Sequence, residues 1–487
     1  QGGSSIFPGS AAHSAREHME AIEDAADCLI AGFAGVGLLR WRVSRDWARR
    51  WGRPVVWAVV LRDLVVARAQ ALPLLLRFAE GLQDLSLGLA QSGLTDDGIR
   101  KLAERIGDLP LARLKLDLRA CPFRAGFASL AAALPRQLLR LHLTLKGWGF
   151  KDGSAEAVAN HLPPSLQDLR LDFGGSHVTG AGAAAVFRQL PPALARLELL
   201  FFGCALGDRW LPDLAPRQPS RLLLDFSGTG LGDASVAGLG KLFSEKLQDL
   251  TLLLVGCGIS DRGVRSLALP QVQELRLDLS GTELTDGGLA GLRLPGSLTT
   301  LHLGVAGCDV SVPTSQLEVL PPLTELHYDW GGTKLDADSA SAIVRSLPAS
   351  LRRLRLVLRD VALGPHAAGL AEHLPLGLQE LRLDCTGCQL GPDGASAVHG
   401  RVAQMEELVQ EEVLYDAFGT DVIVSVDEEE LMAQGLLGVR ANHVHPALHD
   451  AVYLNNRSIL DGAGGPASKR RRRSIEDDED LWCDEYL

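Results

Sequence analysis

The sequence predicts an α/β solenoid of about twelve stacked strand–helix units, with a parallel sheet along one side and helices along the other. The pattern Leu-x-x-Leu-x-Leu-x-Leu recurs from Leu82, Leu111, Leu138, Leu166, Leu194, Pro219, Leu247, Val272, Leu298, Leu323, Leu351 and Leu378, at steps of 25–29 residues. Each unit has two halves. In the first, apolar and polar residues alternate, as in a strand buried on one face. In the second, "LTDDGIRKLAERI" (94–106) or "LTDGGLAGLRL" (284–294) opens on a Thr-Asp cap and continues at helical spacing. Composition agrees: 46% of the 487 residues are hydrophobic but only 5% aromatic, which suits thin regular layers better than one irregular core. One such unit cannot bury its own apolar face, whereas stacked copies can.

Taken from the N-terminus, residues 1–20 are expected to be disordered and residues 21–81 to form a helical module. "LLRWRVSRDWARRWGRPVVW" (38–57) holds four of the eight tryptophans and would cover the open first repeat. The apolar stretch from Pro54 to Leu76 is broken by Arg62, Asp63 and Arg68, so no membrane span is expected. Nothing resembles a signal peptide, and eight cysteines in so long a chain argue for reduced thiols in the cytoplasm, the nucleus or both.

The repeats occupy residues 82–400. Numbering each unit from its first residue, position 11 is Cys121, Cys204, Cys257, Cys308 or Cys388 in five units, and Ser92, Ser176, Thr229, Thr282 or Thr333 in five others. Trp148 and Val361 are the exceptions. A tight buried turn leaves backbone groups in need of partners, and a small donor side chain supplies one. Cys385 stands at position 8, where other units place Leu or Phe, so the Cys385-x-x-Cys388 spacing is two repeat positions rather than a redox or zinc motif. With "LQDLRLDF" (166–173), "VQELRLDL" (272–279) and "LQELRLDC" (378–385), the units resemble leucine-rich repeats, nearest the ribonuclease-inhibitor-like and cysteine-containing kinds. The resemblance implies a leucine-rich-repeat solenoid in the form of a horseshoe, with position 11 as its Asn/Cys ladder and a protein ligand on the concave face.

Residues 401–432 read as an acidic C-terminal cap or tail, with "MEELVQEEVLYDAFG" (405–419) as a closing helix, and residues 433–487 as a disordered tail. From Arg401 onward there are 8 Lys+Arg against 19 Asp+Glu, most of the net charge of −12, so the repeats are close to neutral. No broad basic field is left to hold nucleic acid. Lys469, Arg470, Arg471, Arg472 and Arg473 look like a nuclear import signal, with Ser474 as an adjoining phosphosite.

No phosphate-binding loop, GxSxG elbow or HExxH motif is present, and Pro446 keeps His443, His445 and His449 from sharing one helix, so no catalysis, metal or cofactor is expected. Recognition is left. Positions 5, 7 and 9 point away from the core. Position 5 is mostly basic or His, and position 7 is often Asp, as at Asp117, Asp172, Asp225, Asp278, Asp329 and Asp384, so most charges should pair. Two places depart from this: a basic patch of Arg113, Lys115, Arg119, Arg140, His142 and Lys146, and an apolar cluster of Leu200, Phe202, Leu223, Leu253 and Val255, which suits either a protein contact or cover by the chain's own acidic tail.

Before the repeats, Leu39, Val43, Ser44, Trp47 and Trp57 resemble an F-box, without its Leu-Pro opening and with Ser in place of Cys. That resemblance implies a Skp-type adaptor as partner and a role as substrate receptor of a cullin-type ubiquitin ligase. The alternative is a plain repeat scaffold or inhibitor with a helical cap. The chain is expected to act as a monomer.

Overall fold

The computed structural model describes residues 60–65, 82–90, 94–121, 126–208, 210–211, 219–311, 320–363, 368–405, 408–417 and 420–426. Their strands form one sheet in strict sequence order. They are β1 (Val60–Val65), β2 (Asp84–Gly88), β3 (Arg113–Asp117), β4 (Arg140–Thr144), β5 (Asp168–Asp172), β6 (Arg196–Leu200), β7 (Arg221–Asp225) and β8 (Asp249–Leu253). The sheet continues with β9 (Glu274–Asp278), β10 (Thr300–Gly304), β11 (Glu325–Asp329), β12 (Arg353–Val357), β13 (Glu380–Cys385), β14 (Gln410–Ala417) and β15 (Thr420–Val426). Neighbours from β1 to β14 are parallel, and only β14 and β15 are antiparallel. From β2 to β13 the register never slips, so position 3 faces position 3, and Asp84 lies opposite Arg113 as Arg353 lies opposite Glu380.

The leucines of positions 1, 4, 6 and 8 fill one continuous core from Leu82 to Val413. Position 8 becomes an aromatic stack in the middle units, with Phe173 and Phe201 5.5 Å apart and Phe201 and Phe226 6.0 Å apart. The strand then turns sharply, and the N–H of position 11 donates to the carbonyl of position 8, as from Cys204 to Phe201. This turn needs a left-handed residue at position 10. Gly203 and Gly228 supply it at φ 66° and 64°, while Ala120 and Asp360 adopt it at 51° and 58° with a Cβ to accommodate.

The Thr-Asp pair that opens the helices does two jobs. Thr285 caps its own helix, Asp286–Leu289, by accepting the N–H of Gly287. The Asp one place later reaches the next unit instead. Asp261 accepts both the N–H and the O–H of Thr285 at 2.8 and 2.7 Å, and Asp233 and Asp286 hold Ser260 and Ser311 in the same way. These charge-assisted bonds weld unit to unit on the helical side. Asp261→Ala is therefore expected to cost about 2–3 kcal/mol, since two such bonds go and the Thr285 N–H is left unmet. Urea unfolding checks this, and a loss below about 0.5 kcal/mol would remove the ladder from the stability account.

Two boundaries differ from the sequence reading. Residues 60–65, placed there in the helical module of 21–81, form β1 and extend the sheet one strand before the first recognised repeat. The acidic segment expected as a closing helix is instead the β14–β15 hairpin, which follows the helix Gly391–Val402. The unpaired backbone edge of β13 demands a partner, and β14 pairs with it in parallel while Val413 joins the core. Leu39, Val43, Trp47, Trp57, the tail beyond 426 and the Lys469–Arg473 cluster lie outside the described residues. No helix among those described is long and apolar enough to cross a membrane.

Candidate recognition surface

Because the register is unbroken, the face of the sheet opposite the helices is a lattice whose rows are positions 3, 5, 7 and 9. Most of its charges meet. Arg170 and Arg196 both reach Glu198, and Arg221 holds Asp249 at 2.7 Å.

The expected basic patch is largely neutralised by the same lattice. Arg113 pairs with Asp84 at 3.3 Å, Arg119 with Asp117 at 2.9 Å, and Lys146 with Asp172 at 3.6 Å. Arg140 and His142 share Asp168, where burial, the largest single effect, pushes the carboxyl up but the hydrogen bond and charge of His142 and the charges of Arg196 and Arg140 together hold it below its ordinary value. Lys115 is exposed. Five of the six side chains thus find carboxylates on their own or a neighbouring strand, and all of these pairings but Arg119–Asp117 cross from one repeat to the next.

The apolar cluster is also redistributed. Phe202 is 46% exposed and Val255 36%, Leu223 and Leu253 are half-buried, and Leu200 is buried. The register puts Asp225 between Leu200 and Leu253, so the five do not form an unbroken patch but stand around a carboxylate. Leu200 lies mid-sheet between the Asp172 and Asp225 strands, which shields it from solvent. Burial pushes the Asp225 carboxyl up from its ordinary value, partly offset by the Ser227 N–H it accepts at 2.9 Å.

Asp225 belongs to a two-unit alternation. Position 7 is Asp117, Asp172, Asp225, Asp278, Asp329 and Asp384 in every second unit, with Thr144, Leu200, Leu253, Gly304 and Val357 between them. Each of these carboxylates accepts the N–H two residues on, at 2.9–3.2 Å. The alternation stands in the sequence and could have been read there, had pairs of units been compared rather than single ones.

Another feature was not foreseen as part of the surface. Trp148, an exception at position 11, turns outward and is 80% exposed, its ring 6.2 Å from that of His177, while Phe150 takes the buried place. Trp148, Phe202 and Val255 therefore mark the strand ends of alternate units. On β10 and β11, His302 and His327 meet edge to face at 5.2 Å, and His302 approaches Glu325 at 3.5 Å. Burial, reinforced by the positive charge of Arg355, pulls His327 down to about 3.

The cysteines act as repeat residues, with a distinction the sequence did not show. Cys121, Cys204, Cys257, Cys308 and Cys388 each donate Sγ–H to the position-8 carbonyl of the preceding unit. Thr229, Thr282 and Thr333 donate to that of their own unit. The longer C–S bonds let a thiol reach across the stack, where the shorter hydroxyl closes its own turn. Cys385 is buried, and its neighbour Cys388 together with burial holds its thiol well above the ordinary value, so it stays protonated. Among the described residues no three His, Cys, Asp or Glu side chains come together as a metal site.

No protein-family model matches this chain, and no curated protein matches it. Among solved structures it is similar to an internalin of Listeria monocytogenes, 14% identical, with a TM-score of 0.38 over 70% of this chain and 93% of that one. It is also similar to a chain of the Rad7 and Elc1 complex of yeast, 14% identical, with a TM-score of 0.37 over 86% of this chain and 96% of that one. The fold itself rests on the geometry above: an unbroken parallel register, a leucine core and a thiol–hydroxyl ladder at most of the described turns make an α/β leucine-rich-repeat solenoid.

Proposed function

We propose that this chain recognises another protein through the face of its repeat sheet and performs no catalysis. The observation that carries this reading is Phe202, a large side chain 46% exposed on a strand-end face where most charges pair. Phe202→Glu is expected to weaken partner capture by at least about tenfold, the loss of one buried aromatic contact, while thermal unfolding stays within about 2 °C of the parent. Cross-linking followed by mass spectrometry on the full chain reads both partner and contact. Undiminished cross-links at the β6–β8 face would overturn the assignment.

Two finer proposals rest on sequence pattern alone. Residues 21–57 bind a Skp-type adaptor through an F-box-like module that includes Leu39, Val43, Trp47 and Trp57, making the solenoid the substrate receptor of a ubiquitin ligase. Deletion of residues 1–57 should then abolish adaptor capture while the sheet-face ligand is retained. Loss of solubility on deletion favours the plain cap, with the solenoid acting as scaffold or inhibitor. Lys469–Arg473 directs the chain to the nucleus, and alanine at all five positions should redistribute a fluorescent fusion to the cytoplasm.

A further inference from the structure

The six carboxylates of the alternating row are not equivalent. Asp117, Asp172 and Asp384 each pair with a cation, namely Arg119, Lys146 and Arg359. Asp225, Asp278 and Asp329, at the centre, each accept the N–H two residues on and make no ion pair among the described residues. They are half-buried, and burial pushes the carboxyls of Asp225 and Asp329 up from their ordinary values, each raised further by the preceding acid of the row, Asp172 and Asp278, and only partly eased by Lys146 in the one case and by Arg359 and Arg355 in the other. Partly desolvated anions without a cation in direct contact are unfavourable in the free protein, and a cation brought by a partner relieves that cost. Apolar contact adjoins them: Leu253 separates Asp225 from Asp278, and Phe202 and Val255 stand exposed at the ends of the neighbouring strands.

The spacing selects the partner's conformation. Strands lie about 4.8 Å apart, so carboxylates on alternate strands recur at about 9.6 Å. A polyproline-type chain rises about 3.1 Å per residue with three residues per turn, so every third side chain returns to the same face after about 9.3 Å. Across three sites that match drifts by well under 1 Å, about 0.6 Å in all. A β-strand alternates faces, so its residue i+3 points the wrong way. An α-helix returns only after seven residues, about 10.5 Å, and misses the third site by nearly 2 Å.

We propose that the sheet face from β6 to β11 binds an extended, polyproline-type segment of a partner protein that carries a basic residue at every third position. Its three cations lie over Asp225, Asp278 and Asp329, and its prolines pack against Leu253, Phe202 and Val255. The segment crosses the strands rather than pairing with an edge, so the sheet needs no rearrangement to receive it. This deepens the recognition reading above and rests on it.

The test uses the full chain and two labelled nonapeptides of identical composition, one with Pro-Pro-Arg three times, the other with six prolines followed by three arginines. Fluorescence anisotropy at moderate salt is expected to give at least tenfold tighter binding of the spaced peptide. The triple variant Asp225→Asn, Asp278→Asn, Asp329→Asn should bring the spaced peptide down to the level of the blocked one. Its fold should hold, because the Asn carbonyl oxygen still accepts the N–H that each carboxylate accepts now. Equal affinities for the two peptides, no binding of either, or unchanged binding to the triple variant with an unchanged melting temperature would each overturn the proposal. Should Phe202→Glu release a cross-linked partner while the spaced peptide fails, sheet-face recognition stands and only its basic chemistry falls. If Phe202→Glu changes neither cross-links nor peptide affinity, the recognition reading fails with it.

Discussion

Replacing Gly288 by valine is expected to destabilise the solenoid by about 3 kcal/mol or more. A Cβ built at Gly288 would lie 2.3 Å from Asp261 Oδ1, 2.6 Å from Leu284 Cδ1 and 2.8 Å from Asp261 Cα. The first two neighbours are side chains, but the third is the backbone of the preceding unit and cannot yield without moving that unit. Overpacking of this kind costs about 1–3 kcal/mol by itself. The displaced Asp261 carboxylate would also release the Thr285 N–H and O–H, adding a loss on the scale given above for Asp261→Ala. Because each unit touches only its neighbours, the damage should appear as broadened or split unfolding rather than a uniform shift. Calorimetry resolves this, and a single transition within about 2 °C of the parent would show that the stack absorbs the side chain without strain.

Acid should weaken the chain through His327 well before its carboxylates are exhausted. With a folded-state value of about 3 against an ordinary 6.5, His327 stays neutral in the fold while the unfolded chain takes up a proton. A depressed folded value means its contribution is fully present above pH 6.5 and is lost as pH falls from there toward 3, at up to about 1.4 kcal/mol per pH unit. The groups facing it set the sign: burial first, then Arg355, the His302 ring and Arg276, with only Glu325 opposing. Since His327 keeps partial contact with solvent, a net loss of about 1–2 kcal/mol between pH 7 and 4.5 is the reasonable scale. Asp225 and Asp329, whose values are raised chiefly by burial, act oppositely and stabilise as they take up protons. Urea titrations at pH 7, 5.5 and 4.5 on the parent and His327→Gln isolate the histidine. The variant should lose less stability than the parent over that range, and parallel losses would assign the acid sensitivity elsewhere.

Much of this could be read from the chain alone, because repeat architecture is written locally. Leucines at positions 1, 4, 6 and 8 dictate a strand with one buried face, and twelve copies at steps of 25–29 residues dictate a stack. Position 8 for Cys385 and position 11 for Cys388 were enough to read the cysteine pair as structural, and the Asp row at position 7 was visible residue by residue. What the sequence left open are properties of neighbouring units held in register. Whether Arg140 is a free charge depends on Asp168, 28 positions away but on the adjacent strand. Leu200 counts as exposed on its own strand and is buried between two others. Cys257 and Thr229 look interchangeable at position 11, yet both donate to the Phe226 carbonyl, one across the stack and one within its own unit. The acid-rich stretch after Met405 has the composition of a helix and becomes β14 because β13 presents an unpaired edge. Hydrophobic periodicity acts along the chain and so determines the unit; hydrogen-bonding and charge partners act across it, and only the stacked register decides them.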